Sequence, residues 1–290
     1  MTNKNNSVAF LMALYKSDLK LLERSLKSII KQTFEGKIII YCILDGDNNL
    51  INDFLIKYSQ ENLEENRFIK IFKKKNSGTA DTRNYGLSKI SEDYVFIQDD
   101  DDFSLPERVD LVLEEFNFNN NLQIIASPAI FKFPESNKNF KYKIKSYPNK
   151  KFKILLDLIC GVNTVCQPTI CFKINSLCLK LGIEKKNLYP KSITEDQSLW
   201  NFLACKNIFV HQISFPSVIY TIRENQYSQN IFKESKVSSV YFIRESINLL
   251  NHHRKMYIFL PLIIFLILRR IIIINAYVIK LKKLKKFFKN

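Results

Sequence analysis

With 290 residues, 46% of them hydrophobic and 13% aromatic, the chain can bury a substantial core and is excluded from the disordered class. Its formal net charge of +16 invites nucleic-acid binding, but most of the excess lies beyond Glu245, where no acidic residue occurs. Six cysteines without a Cys-x-x-Cys pair read as reduced core residues of a cytosolic protein, and the spacing of Cys166, Cys171 and Cys178 fits no zinc knuckle. The polar stretch from Met1 to Ser7 has no apolar signal core, so nothing there directs secretion.

Val8 to Leu14 is a continuous apolar run that predicts a buried strand. Leu19, Leu22, Leu26, Ile29 and Ile30 then recur at helical spacing, with Ser17 or Asp18 as the N-cap. Lys37 to Leu44 predicts a second buried strand, ended by Asp45-Gly46-Asp47 before a weaker helix through Leu63. Phe68 to Phe72 supplies a third strand, Asn76-Ser77-Gly78 a loop, and Thr79 to Ile90 a helix carrying Arg83 and Asn84. Tyr94 to Ile97 is a fourth short strand of aromatic and β-branched residues.

Strands alternating with helices in this way predict a largely parallel sheet with right-handed crossovers. In such sheets ligands bind beyond the carboxyl ends of the strands. Tyr15, Asp45, Arg83 and the run Asp99 to Asp102 then converge on one edge. Four adjacent carboxylates repel unless solvent or a cation neutralises them, so the run reads as a divalent-metal site or as a solvated acidic turn.

Leu105 to Phe118 predicts a helix with Pro106 in its first turn. Beyond it the alternation stops: Gln123 to Phe133 and Phe140 to Ser146 read as a hairpin, and Val165 to Lys173 as another strand. A short helix follows Thr194-Glu195-Asp196, with extended segments at Ile208 to Ile213 and Ser217 to Ile222. The tail differs. Tyr257 to Leu268 is apolar, Arg269-Arg270 interrupts, and Ile271 to Ile279 resumes before a lysine-rich end. The arginines disfavour a membrane span, at roughly 2.5 to 3.5 kcal/mol each near a bilayer centre. A helix lying on an anionic membrane surface, or a core helix with a solvated end, remains.

From Ser7 to Ser228 the chain resembles the family 2 glycosyltransferases, inverting enzymes of the nucleotide-sugar-binding A-type (GT-A) fold. The resemblance rests on Ser28-x-x-x-Gln32-Thr33, Leu44-Asp45, Arg83-Asn84-x-Gly86, Gln98-Asp99-Asp100-Asp101-Asp102 and Glu195-Asp196-x-x-Leu199-Trp200. Ala13, Lys16 and Gln98 depart from the residues usual at their positions. The resemblance implies a Rossmann-like mixed, mainly parallel sheet flanked by helices in residues 1–228, and the tail's own apolar and basic pattern adds a helical, membrane-associating extension in 229–290.

It also implies roles. Tyr15, Asp45, Arg83, Asp99 and Asp100 would face the nucleotide-sugar donor, most often UDP-linked in such families. Asp101, with Asp99, would hold Mn²⁺ or Mg²⁺, and Asp196 would be the catalytic base. Gln167 to Lys173 would line the acceptor or the donor-sugar pocket, and Arg223 would meet the diphosphate. The acceptor would be a hydroxyl of a growing glycan, and the basic, amphipathic tail points to a lipid-linked glycan of cell-surface polysaccharide or glycolipid assembly, with the enzyme peripheral on the inner face of the membrane and no nucleic-acid partner. Two rivals differ in class: a nucleotidyltransferase, which lacks here the expected Gly-rich, Lys-bearing loop, and a non-catalytic basic protein, which would need aromatic and basic residues interleaved on an exposed face.

Overall fold

A computed structural model describes residues 7–134, 140–192, 194–222, 235–261, 263–264 and 268. Eleven strands and eight α-helices are assigned among them. The chain separates into two compact units. The first takes the residues up to Asn149 together with Val165–Leu199 and Phe209–Ile222; the second takes Lys150–Thr164, Trp200–Ile208 and the residues after Ile222.

The first unit begins as expected. Strand β1 (Ser7–Leu14), helix α1 (Leu19–Ile30), β2 (Lys37–Asp45), α2 (Asn49–Glu61), β3 (Arg67–Lys74), α3 (Thr79–Lys89) and β4 (Tyr94–Ile97) alternate. All the pairings among these four strands are parallel, in the order β4-β1-β2-β3. Because helices cover such a sheet, its central strands are apolar on both sides, and Val8 to Met12 and Ile38 to Leu44 are buried without alternation. Asp18 is the N-cap of α1, its Oδ1 accepting from the N–H groups of Lys20 and Leu21 at 2.9 and 3.1 Å. At the other end, buried Arg67 donates to the carbonyls of Ile30, Gln32, Phe34 and Gly36, satisfying groups that a helix terminus and the following turn leave open.

Two expected strands took other forms. Gln123 to Phe133 is divided at Ser127-Pro128 into β6 (Ile124–Ala126) and β7 (Ala129–Pro134), which belong to different sheets. Proline cannot donate to a ladder, so the strand breaks there. Of Val165 to Lys173 only β9 (Cys171–Lys173) forms a strand, because Gln167–Thr169 with Pro168 turns as a 3-10 helix.

Strand β9 lies antiparallel between β4 and β6, and β10 (His211–Gln212) completes a seven-stranded sheet β10-β6-β9-β4-β1-β2-β3. A second sheet, β5-β11-β7-β8, joins β5 (Phe103–Ser104), β11 (Val218–Thr221), β7 and β8 (Phe140–Lys145). The hairpin β7–β8 is the expected one. Helix α4 (Arg108–Phe118) starts after Pro106 rather than around it, since Phe103–Ser104 has joined the second sheet. Helix α6 (Ile174–Leu181) follows β9 directly.

The second unit contains α5 (Lys151–Ile159), the later residues of α7 (Glu195–Cys205), α8 (Ser235–His252) and a 3-10 helix, Arg254–Phe259. Ser246 Oγ donates to the Ile159 carbonyl at 2.6 Å, and a ring nitrogen of His253 lies 2.8 Å from the Ala204 carbonyl. Leu158, Leu203, Leu249 and Ile263 are buried. Among the described residues no helix is long and apolar enough to cross a membrane. Most of the apolar tail read from the sequence, and Arg223, lie outside the described residues.

Gly86 sets how closely α3 approaches the sheet. A Cβ there would stand 2.4 Å from Leu11 Cδ1 and 2.9 Å from Ile43 Cγ1. Gly86→Ala should therefore lower stability by about 1–3 kcal/mol through overpacking. Urea unfolding measures this, and an unshifted midpoint would show that α3 can move off the sheet without cost.

Candidate active site

The carboxyl ends of β1, β2 and β4 carry most of the residues singled out by sequence. Asp45 closes β2 and is buried. Its Oδ1 accepts from Lys74 Nζ at 3.0 Å and from the Ser77 N–H at 2.9 Å, and its Oδ2 accepts from the Gly78 N–H at 3.0 Å. Gly78 has φ +90°, a left-handed conformation suited to glycine, and leads directly into α3. Asp45 thus caps the loop that starts α3. Tyr15, at the end of β1, is 54% exposed, with the Lys16 ammonium 5.2 Å from its ring centroid.

Asp99 to Asp102 follow β4 as a turn whose backbone is held from several directions. Ser25 Oγ donates to the Asp99 carbonyl at 3.0 Å, and Gln98 Nε2 to the Asp102 carbonyl at 3.0 Å. Arg24 Nη2 donates to the Asp101 carbonyl and, at 2.8 Å, to Thr221 Oγ1. The Thr221 N–H donates to Asp102 Oδ1 at 2.9 Å. Asp99 and Asp100 are partly exposed, Asp101 is buried, and Asp102 is fully enclosed with its Oδ2 unpartnered. Burial first, then the neighbouring charges of Asp101 and Asp99, pushes the Asp102 carboxyl well above the usual range.

Gln98, the polar departure in the acidic motif, lies at the centre of a buried network. Its Oε1 accepts from Ser104 Oγ and from Arg108 Nη1, both at 2.8 Å, while its Nε2 reaches Ser25 Oγ at 2.9 Å. Arg108 also donates to the carbonyls of Ile97 and Ile170, and its guanidinium stands 5.5 and 5.3 Å from the rings of Phe10 and Phe96. Burial lowers the Arg108 pKa to about 10, which leaves it a cation at neutral pH. Ser28, Gln32 and Thr33 act alongside. Ser28 Oγ accepts the Ser104 N–H at 3.0 Å, Gln32 bridges the Leu105 carbonyl and the Val109 N–H, and Thr33 Oγ1 donates to Asp110 at 2.6 Å. These residues fasten α1 to the chain leaving the acidic turn.

Arg83 joins this turn to the start of α7. From its buried position Nη2 donates to Asp99 Oδ1 and Nη1 to Glu195 Oε1, each at 3.1 Å, and its guanidinium packs 5.5 Å from the Tyr189 ring. Burial alone would lower the Arg83 pKa, but Asp99 foremost, with Glu195 and Asp196, raises it above its ordinary value. Asn84 exchanges two hydrogen bonds with the Tyr189 backbone, both at 2.8 Å, and Gln167 Nε2 donates to the Tyr189 hydroxyl at 2.6 Å. Asp196 stands in the first turn of α7, its Oδ1 accepting the Gln197 N–H at 2.7 Å.

The structure therefore brings Arg83 and Asp99 together with Glu195, beside Asp196, and gives Asp45 a separate station at the foot of α3. Glu195 and Tyr189 were not singled out as site residues by sequence. Glu195 adjoins Asp196 in the quoted motif, whereas no local pattern marks Tyr189. Tyr147 and Tyr220 also face this region, burial and nearby acidic groups holding both phenols protonated.

The family model "Glycosyl transferase family 2" matches residues 10–176. The chain belongs to glycosyl transferase family 2. An uncharacterised glycosyltransferase of Methanocaldococcus jannaschii is 26% identical over 198 residues, covering 68% of this chain and 64% of the relative. One from Rickettsia bellii is 27% identical over 188 residues, covering 64% of this chain and 24% of the relative. The chain thus matches under two thirds of either relative's length. Among solved structures, S. aureus TarS 1-349 in complex with UDP-GlcNAc is similar in fold, with a TM-score of 0.57 at 18% identity, covering 85% of this chain and 72% of that one. Family membership and this likeness agree with the expected mixed, mainly parallel architecture.

Asp45 gives this family member a defined acid sensitivity. Burial pulls its pKa up, but the hydrogen bonds from Lys74, Ser77, Thr82 and Gly78 outweigh it and hold the folded-state value below the ordinary carboxylate value of about 4. A lowered folded value means that its contribution is fully present above about pH 4 and is lost as pH falls through the folded value. Asp45→Asn should lower stability at neutral pH and flatten the loss of stability below about pH 4, as read by urea unfolding across an acid pH series. An unchanged acid limb would remove Asp45 from this role.

Proposed function

We propose that this protein is an inverting glycosyltransferase that moves a sugar from a nucleoside diphosphate, UDP in the first instance, to a hydroxyl of a glycan or lipid-linked glycan. The observation that carries the reading is Arg83, hydrogen-bonded at 3.1 Å both to Asp99 of the acidic turn and to Glu195 beside Asp196. That contact sets the donor-side carboxylates and the base motif around one cation. The UDP-GlcNAc held by TarS makes UDP-N-acetylhexosamines the first donors to test.

In a single displacement the acceptor oxygen attacks the anomeric carbon as the bond to the diphosphate breaks. Asp196 takes the hydroxyl proton and the nucleoside diphosphate departs with the bonding electrons. A correctly placed base contributes about 10² to 10⁴ in rate. Arg83 orients Asp99 and Glu195, and Tyr15 and Asp100 border the donor. Asp45 serves the donor through the loop that it caps.

Among the described residues no group of three or more His, Cys, Asp or Glu side chains forms a ready-made metal cage. The donor set of the acidic turn fits the other kind of site, in which Mn²⁺ or Mg²⁺ takes one or two carboxylates and completes its shell with diphosphate oxygens and water. Asp101 and the partly exposed Asp99 would hold it. When bound it would offset the negative charge that builds on the departing diphosphate. We place the enzyme on the inner face of the membrane, its basic tail against anionic headgroups.

Asp196→Asn should lose transfer by at least about a hundredfold while retaining UDP-dependent, Mn²⁺-dependent thermal stabilisation. Released UDP, rather than pyrophosphate, identifies the reaction. Retained turnover in this variant would remove the base assignment, and stabilisation by no nucleotide sugar across a panel would overturn the donor reading.

A further inference from the structure

One face of the second sheet borders the acidic turn and has no role in the transfer step described above. In the register of β7 and β8, Phe133 pairs with Lys141, Phe131 with Lys143 and Ala129 with Lys145. Alternation along a strand places these six side chains on one face, and β11 adds Tyr220 opposite Phe131. The rings form a contiguous strip, with the Phe131 centroid 4.9 Å from Tyr220 and 6.2 Å from Phe133. The Lys145 ammonium lies 5.6 Å from the Phe131 centroid and 5.0 Å from that of Tyr147.

Lys141, Lys143 and Lys145 are all exposed, and none of the residues of β7, β8 or β11 is acidic. Same-face residues of a strand are about 7 Å apart, so the three ammonium groups form a row. One end of this face abuts the acidic turn. Thr221, next to Tyr220, donates its N–H to Asp102, and Asp102, Asp99 and Asp101 all act on the Tyr220 hydroxyl.

That juxtaposition identifies a ligand chemistry. Aromatic faces pack against the C–H faces of sugar rings, and a row of ammonium groups beside them pairs with anions spaced along a chain. An anionic acceptor approaching the carboxylates of the turn would be repelled. The lysine row offsets that repulsion along the path of approach.

Building on the sugar-transfer reading, we propose that the lysine and aromatic face of β7, β8 and β11 is the acceptor subsite, and that it takes a glycan bearing carboxylate or phosphate groups. Lys141 and Lys143 hold the anionic groups outside the reaction centre. Phe131 and Tyr220 stack the sugar nearest to it.

The test uses the full chain and three fluorescent oligosaccharides: a polygalacturonate, a phosphorylated oligomannose and a neutral dextran. Binding is followed by anisotropy at low and at physiological salt. At least one anionic probe should bind about tenfold or more tighter than dextran, and weaken with salt. The variant Lys141→Glu/Lys143→Glu should lose that preference, whereas Lys282→Glu/Lys283→Glu in the tail should keep it. Which anionic probe binds tighter distinguishes carboxylate from phosphate recognition, and either result supports the subsite.

Equal binding of dextran overturns the proposal, as does a preference lost only in the tail variant. Hairpin-dependent binding of single-stranded DNA as tight as that of the glycans overturns it in favour of a nucleic-acid surface. UDP-dependent thermal stabilisation is read on the same samples. Its absence in the wild-type chain would count against the transfer reading, whereas its survival alongside failed glycan discrimination would count against the acceptor subsite alone.

Discussion

Four consecutive carboxylates at the end of a buried strand repel one another, and much of the first unit is arranged to hold them in one conformation. The turn is fixed largely through its backbone, with the Asp102 and Asp99 carboxylates each taking one further bond, from the Thr221 N–H and from Arg83. Ser25, Arg24 and Gln98 donate to its carbonyls, and Thr221 secures Asp102 from the second sheet. Behind it stands the buried Arg108, whose charge acts on Asp102 and Asp99 and whose donors meet Gln98, Ser104 and two main-chain carbonyls. A polar residue at position 98 is thereby explained, since an apolar side chain would leave Ser25, Ser104 and Arg108 without their shared partner.

Helix α3 connects this turn to the remainder of the site, and its motif divides by physical role. Arg83 neutralises carboxylates from two distant segments, Asn84 ties down the Tyr189 backbone, and Gly86 permits the close approach to β1 and β2 that brings both into position. The helix begins where it does because Asp45 binds the loop before it. A residue expected to face the donor therefore also has a mechanical function in the fold.

Local pattern carried the sequence reading through the first four strands. Their apolar runs are long enough, and the capping and glycine positions distinct enough, that Tyr94–Ile97 was placed at its observed bounds and Asp18 emerged as the cap of α1. After α4 the same logic weakened. The run from Gln123 to Phe133 gives no periodic sign that it changes sheets at Ser127-Pro128, and Pro168 bends a segment that its composition favours as a strand. The helices α5 and α6 were not anticipated, each being short and adjoining apolar segments of the same character.

By itself the sequence determined the alternating, parallel half of the fold and nominated the residues of the candidate site, because both are written in short-range periodicity and in compact motifs. The tertiary structure alone decided that β9 enters antiparallel between β4 and β6, and that Arg83 meets Glu195 across 112 positions of chain. It also decided that the lysines of β8 share a face with the aromatics of β7 and β11. Such pairings are set by which surfaces pack together once the sheet forms, and no local window of sequence contains both partners.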